Sequence, residues 1–255
     1  MSIRVLNSEL LDQSILLWHS HDPMIELNIN RSMFTPNQSK IFFGAINMIL
    51  VHHLNDSRSQ RILWLLEELG LEYDVKCYKR DPDTHLAPQE LVRIHPLGKS
   101  PVIEDGNNII HESGAIIDYL IRKYAGDKLH PANTTLAYEQ YVQWLHYAEG
   151  SAMLPLLLKI YVDPLAEGGT PLHPRINSEL DNHLGFIEAS LEGKTFLVDE
   201  KFSAADIQMS FVGEVAASFE LLQLRPNLQA WIKRLQTRPT YQLAIMKGGT
   251  YRLAK

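Results

Sequence analysis

Hydrophobic and polar positions follow two rhythms along this chain, and the change between them divides it. ILVHH (49–53) is a short β-rich run, and in the SQRILWLLEELG that follows the hinge after it, Ile62, Leu65, Leu66 and Leu69 recur at helical spacing until Gly70 supplies a stop. EYDVKCY (72–78) predicts a second strand. Beyond the turn-rich DPDTHLAP, Leu86 to Ile94 predicts one irregular helix. PVIED and NNIIH flank Gly106 as a hairpin, and Ser113 stands where it would cap a helix carrying Ile116, Ile117, Leu120, Ile121 and Tyr124.

After the connector AGDKLHPANT (125–134) the strand pattern stops. LAYEQYVQWLHYAEGSAMLPLLLKIYV predicts one long helix kinked at Pro155, and INSELDNHLGFIEASLEG (176–193) a second. FSAADIQMSFVGEVAASF opens with Ser203 and Asp206 at capping-box spacing, and PNLQAWIKRLQTRP sets Leu228, Trp231, Ile232 and Leu235 on one face. The pattern thus predicts an α+β chain with a mixed domain over 48–125, a linker over 126–134 and an all-helical domain over 135–255. Residues 1–47 show neither period and read as a poorly patterned, loosely ordered extension.

Composition narrows the function classes. A length of 255 residues leaves room for two modest domains, and a net charge of −6 without a basic cluster argues against nucleic-acid binding. Cys77, the single cysteine, removes intramolecular disulfides and CxxC chemistry and fits a reducing, cytoplasmic setting. No basic n-region and apolar core opens the chain, so no secretory signal is expected, and IFFGAINMILV (41–51) is too short to span a bilayer. Among 11 histidines, His52 and His53 point to opposite faces of a strand, and His19 and His21 share a face without further ligands. No HExxH, paired-cysteine, G-x-G-x-x-G or P-loop spacing occurs, so no metal is expected. One stretch stands out. In LNDSRSQRILW (54–64), four polar residues, Asn55 to Arg58, separate two elements that both look buried, which is more than a turn requires.

Four pieces, SRSQRILW, HPLGKSPVIED, HESGAIIDYL and FSAADI, follow one another in an order that resembles the cytosolic glutathione S-transferase family over residues 48–245. The likeness is nearest to its bacterial and fungal serine-type, theta-like members. It implies a thioredoxin-like β-α-β-α-β-β-α domain followed by an all-α helical bundle. It also implies glutathione as co-substrate, no metal, and a homodimer with no nucleic acid and no membrane span.

By the same resemblance, Ser57 would hold the glutathione sulfur as thiolate, with Ser59 and Asn55 as alternatives and helix capping as the plainer role of either serine. No cysteine or tyrosine lies between Ile49 and Arg61, so the cysteine-type and tyrosine-type family sites do not fit. The Ser100-Pro101 bond would be cis, with the main chain of Ser100 pairing with the cysteinyl unit. Lys99 would lie near the glycyl carboxylate, and Glu112 and Ser113, opening a helix, would hold the γ-glutamyl end. Gly114 departs from the family, which usually has a larger residue there. Tyr141, Trp144 and Tyr147 would wall an electrophile pocket. The implied reaction is a detoxifying conjugation of the thiolate to hydrophobic electrophiles. Alternatives are glutathione-dependent peroxidase, dehalogenase or isomerase chemistry, or a non-catalytic binding or regulatory module.

Overall fold

A computed structural model describes residues 48–254. The expected loose extension over residues 1–47 lies outside the described residues. Strand β1 (Ile49–Leu54) runs parallel to β2 (Tyr73–Tyr78) and antiparallel to β3 (Val102–Asp105), which pairs with β4 (Asn108–His111). The sheet order is β2-β1-β3-β4. Alternation along β1 sends Ile49 and Val51 into the main core, while Leu54 packs on the other face with Tyr78 and Leu91.

Helix α1 (Ser59–Leu69) buries its first eight residues, and Gly70 closes it in the left-handed conformation at φ 67°. The helix expected over 86–94 shrinks to one 3-10 turn, Gln89–Arg93. Pro88 and Pro96 explain this, because each bars the residue before it from helical geometry. Helix α2 (Ser113–Leu120) runs on into a π turn, Ile121–Ala125. Ser113 does not cap it. Glu112 occupies the cap position and Ser113 is the first helical residue.

The long helix after the connector is two helices, α3 (Leu136–Tyr147) and α4 (Met153–Val162), joined by a π turn at Ala148–Ala152. The break therefore precedes Pro155 rather than falling on it. A wider turn ahead of the proline absorbs its missing N–H and makes room for its ring. An irregular 3-10 stretch, Asp163–Leu172, leads into α5 (His173–Ser190). Helix α6 (Ala204–Ser218) is buried over most of its length, and α7 (Pro226–Gln236) buries Leu228, Trp231, Ile232 and Leu235 as their spacing predicts. A last helix, α8 (Pro239–Gly248), was not legible, since PTYQLAIMKG has a weak apolar face; it packs on α1. Helix α1 also packs on α6, so one continuous core reaches from Ile49 to Tyr251.

Asp206 holds the helical part together. The capping box with Ser203 forms, and the same carboxylate accepts from Leu197 N (3.1 Å) and Trp231 Nε1 (3.0 Å). Removing it strands several buried donors at once. Asp206→Ala is expected to cost about 3–5 kcal/mol of folding free energy, read as a fall in the urea midpoint.

Candidate functional site

Every polar residue of the hinge 55–58 has a partner that explains its presence. Asn55 accepts from Arg80 through its side chain (Arg80 N to Oδ1, 3.1 Å) and its carbonyl (Arg80 Nε, 3.2 Å). Asp56, at φ 49°, accepts from Arg252 N (2.7 Å) and Arg252 Nε (2.8 Å), so the chain end ties down the hinge. Arg58 donates to Glu149 Oε2 (2.7 Å) and lies over the Phe211 ring. Ser57 Oγ lies 2.7 Å from Ser59 Oγ, which lies 2.9 Å from His53 Nδ1.

Beneath the hinge lies Arg61, 1% exposed, whose Nη1 donates to Glu149 Oε1 (2.6 Å), Ser113 Oγ (3.1 Å) and Gln208 Oε1 (3.2 Å). Burial lowers the Arg61 pKa, with Glu149 opposing. Burial also pushes the Glu149 carboxyl up, but Arg61 and Arg58 outweigh it and hold the group below its ordinary value. Glu149 is a site residue that sequence reasoning missed. It sits in a π turn, which no simple period reveals.

A groove of about 230 Å³ brings together Lys99, Ser100, Pro101, Glu112 and Ser113, all five of the residues expected to hold glutathione. Arg58, Glu149, His95 and His111 border it too, the last two with rings stacked at 3.9 Å. The Ser100-Pro101 bond is cis. Ser100 Oγ is spent on β1, donating to the His52 carbonyl (2.8 Å) and accepting from Leu54 N (3.2 Å), so what Ser100 offers the groove is main chain. Glu112 sits at φ 67°, a conformation that costs a non-glycine residue about 1–3 kcal/mol, and its side chain is 68% exposed at the start of α2. Ser57, 6% exposed, neighbours Arg58 in sequence but does not itself line the groove.

The three aromatic candidates do not share a place. Trp144 and Tyr147 line a separate cavity of about 800 Å³ between α3 and α5, where Phe186 stacks on Trp144 and His183 Nδ1 meets the Tyr147 hydroxyl at 2.7 Å. Tyr141 lies in the core with its hydroxyl unpartnered. This cavity and the groove have no lining residue in common.

Patterns of two known domains match the chain. "Glutathione S-transferase, N-terminal domain" matches residues 46–122, and "Glutathione S-transferase, C-terminal domain" matches residues 151–239. Glutathione S-transferase 3 of Schizosaccharomyces pombe is 34% identical over 217 residues, covering 78% of this chain and 88% of its own. The chain belongs to the glutathione S-transferase family. Glutathione S-transferase 1 of Saccharomyces cerevisiae is 31% identical, with 77% of this chain and 94% of that protein covered. A crystal structure of a glutathione S-transferase from Actinobacillus pleuropneumoniae superposes with a TM-score of 0.75 at 35% identity, covering 82% of this chain and 96% of that one. Among the described residues of this family member, no helix is long and apolar enough to cross a membrane.

Burial lowers the pKa of His53 to about 4, against the opposing pull of the Gly248 carbonyl and Asp56. The folded state therefore favours the neutral ring. Its contribution is fully present above the unfolded pKa of 6.5 and is lost as pH falls toward 4. Up to about 3 kcal/mol of stability should disappear over that window, and His53→Asn should flatten that part of a stability-versus-pH curve measured by urea unfolding.

Proposed function

We propose that this chain conjugates glutathione, through its thiolate, to hydrophobic electrophiles. The observation that carries the reading is the groove, in which Lys99, Ser100, Pro101, Glu112 and Ser113 lie next to the hinge that bears Ser57. The γ-glutamyl carboxylate meets the free N–H groups at the start of α2, and Glu112 faces the ammonium. The main chain of Ser100 pairs with the cysteinyl unit, and Lys99 meets the glycyl carboxylate. Laid out this way, the tripeptide brings its sulfur toward Ser57 and Arg58.

The hydroxyl of Ser57 and the guanidinium of Arg58 hold the sulfur ionised. Lowering a thiol pKa from ~8.5 by about two units takes roughly 2.7 kcal/mol and raises the thiolate fraction at neutral pH about 25-fold. The lower basicity gives back roughly tenfold in nucleophilicity, so ionisation alone nets only a few-fold. Holding the electrophile beside the sulfur supplies the rest. The protein acts as a homodimer, a reading supported by Leu154, Leu158 and Tyr161, which lie exposed along one side of α4, and its single cysteine suits the cytoplasm.

Glutathione-affinity binding followed by a panel of electrophiles tests this reading. Ser57→Ala is expected to keep glutathione binding and lose roughly three- to tenfold in conjugation rate. Unchanged turnover would shift the role to Ser59, Asn55 or the main chain, and wild-type binding without turnover would favour a binding module. The Ser113 hydroxyl accepts from Arg61 and keeps its own hydrogen for the γ-glutamyl carboxylate. Ser113→Ala is therefore expected to raise KM for glutathione about tenfold with kcat changed little, as for a contact made equally in the ground and transition states.

A further inference from the structure

His53, Ser59 and Ser57 form a file of polar side chains that runs from the interior to the hinge, 2%, 0% and 6% exposed in turn. We propose that His53 is a positioning residue for the transfer reaction, which acts through Ser59 to turn the one hydroxyl hydrogen of Ser57 inward, away from the sulfur. This deepens the preceding reading and rests on it for the role of Ser57.

The direction follows from counting hydrogens. His53 Nε2 faces Gly248, where a Cβ would lie only 3.1 Å from it, and the Gly248 backbone raises the pKa of the ring, as a carbonyl accepting from the imidazole does. Nε2 therefore carries the hydrogen of the neutral ring, and Nδ1 is left with a lone pair. The ring stays neutral over the working range because burial holds its pKa near 4. With Nδ1 bare, its nearest donor is Ser59 Oγ at 2.9 Å, closer than the Leu54 carbonyl at 3.2 Å, and this bond uses the only hydrogen that hydroxyl has. The hydrogen between Ser59 Oγ and Ser57 Oγ, 2.7 Å apart, must then belong to Ser57. Ser57 Oγ already accepts from Ser59 N at 3.2 Å, so it presents a lone pair outward and no proton.

A thiol brought from the groove to the hinge meets an acceptor, and its S–H can donate to Ser57. An ionised sulfur needs the opposite. Once the thiol proton has gone to solvent water, Ser57 has to rotate its hydrogen outward and give up Ser59 Oγ, which keeps the Leu54 N–H at 3.2 Å as a donor. His53 stays neutral throughout and takes no proton. The file thus sets how readily Ser57 stabilises the thiolate, and weakening its inner end favours the outward rotamer.

The thiol pKa of bound glutathione, read from thiolate ultraviolet absorbance, tests this in wild type, Ser59→Ala and His53→Leu. Both variants are expected to show about two- to tenfold more thiolate at a pH below the wild-type pKa, the worth of one neutral hydrogen bond. Structural damage alone would lower that fraction, and the gain should vanish when Ser57→Ala is added. A thiolate fraction unchanged or reduced in the variants that fold overturns the proposal. Imidazole nitrogen NMR of the ligand-free wild type provides a readout that needs no glutathione. A hydrogen on Nε2 with bare Nδ1 is expected, and a hydrogen on Nδ1 overturns the proposal even if glutathione fails to bind. Failure to bind with the expected tautomer would instead count against the functional reading alone.

Discussion

A guanidinium buried out of reach of water has to be neutralised, and in this protein Arg61 imposes that demand on everything around it. An unpaired buried charge costs several kcal/mol, so Glu149 has to be present and close. Glu149 lies in the π turn between α3 and α4, Ser113 opens α2, and Gln208 belongs to α6. One side chain on α1 therefore fixes the mutual positions of three other elements. The groove lies where two of those elements, α2 and the π turn, meet the loop that carries Ser100 and Pro101. The same carboxylate also holds Arg58, which keeps a second guanidinium at the mouth of the groove.

Much of this was legible in the sequence where local chemistry decides structure. Strands β1 to β4, helix α1 with its glycine stop, the Ser203–Asp206 box and the buried face of α7 all follow from spacing and capping. The five groove residues were legible as well, because the family's motifs sit at the start of a helix or beside a proline. What failed to show depended on distant partners. The π turn at Ala148–Ala152 has no simple period, and α8 is held by its packing on α1 rather than by its own apolar face. Position alone makes Ser113 a cap, but its hydroxyl serves Arg61, a residue 52 positions earlier. His53 could have been noticed, since alternation puts it on the same side of β1 as Val51, toward α1.

The aromatic residues of α3 show the limit of helical spacing. Trp144 and Tyr147 lie three residues apart and share a cavity, as the period requires. Tyr141 is also three residues from Trp144, yet it turns into the core. Spacing says which residues share a side of a helix; it does not say what lies opposite, and here the cavity borders α5 rather than the groove.

The contact between Asp56 and Arg252 joins residues 196 positions apart. A hinge near the start of the described chain is completed by a segment near its end. Closing so long a loop is entropically slow, because the two partners meet only after the chain between them has folded. Until it closes, the sheet and the groove residues stand without the clasp at the hinge, which makes the hinge one of the later parts of the fold to be fixed.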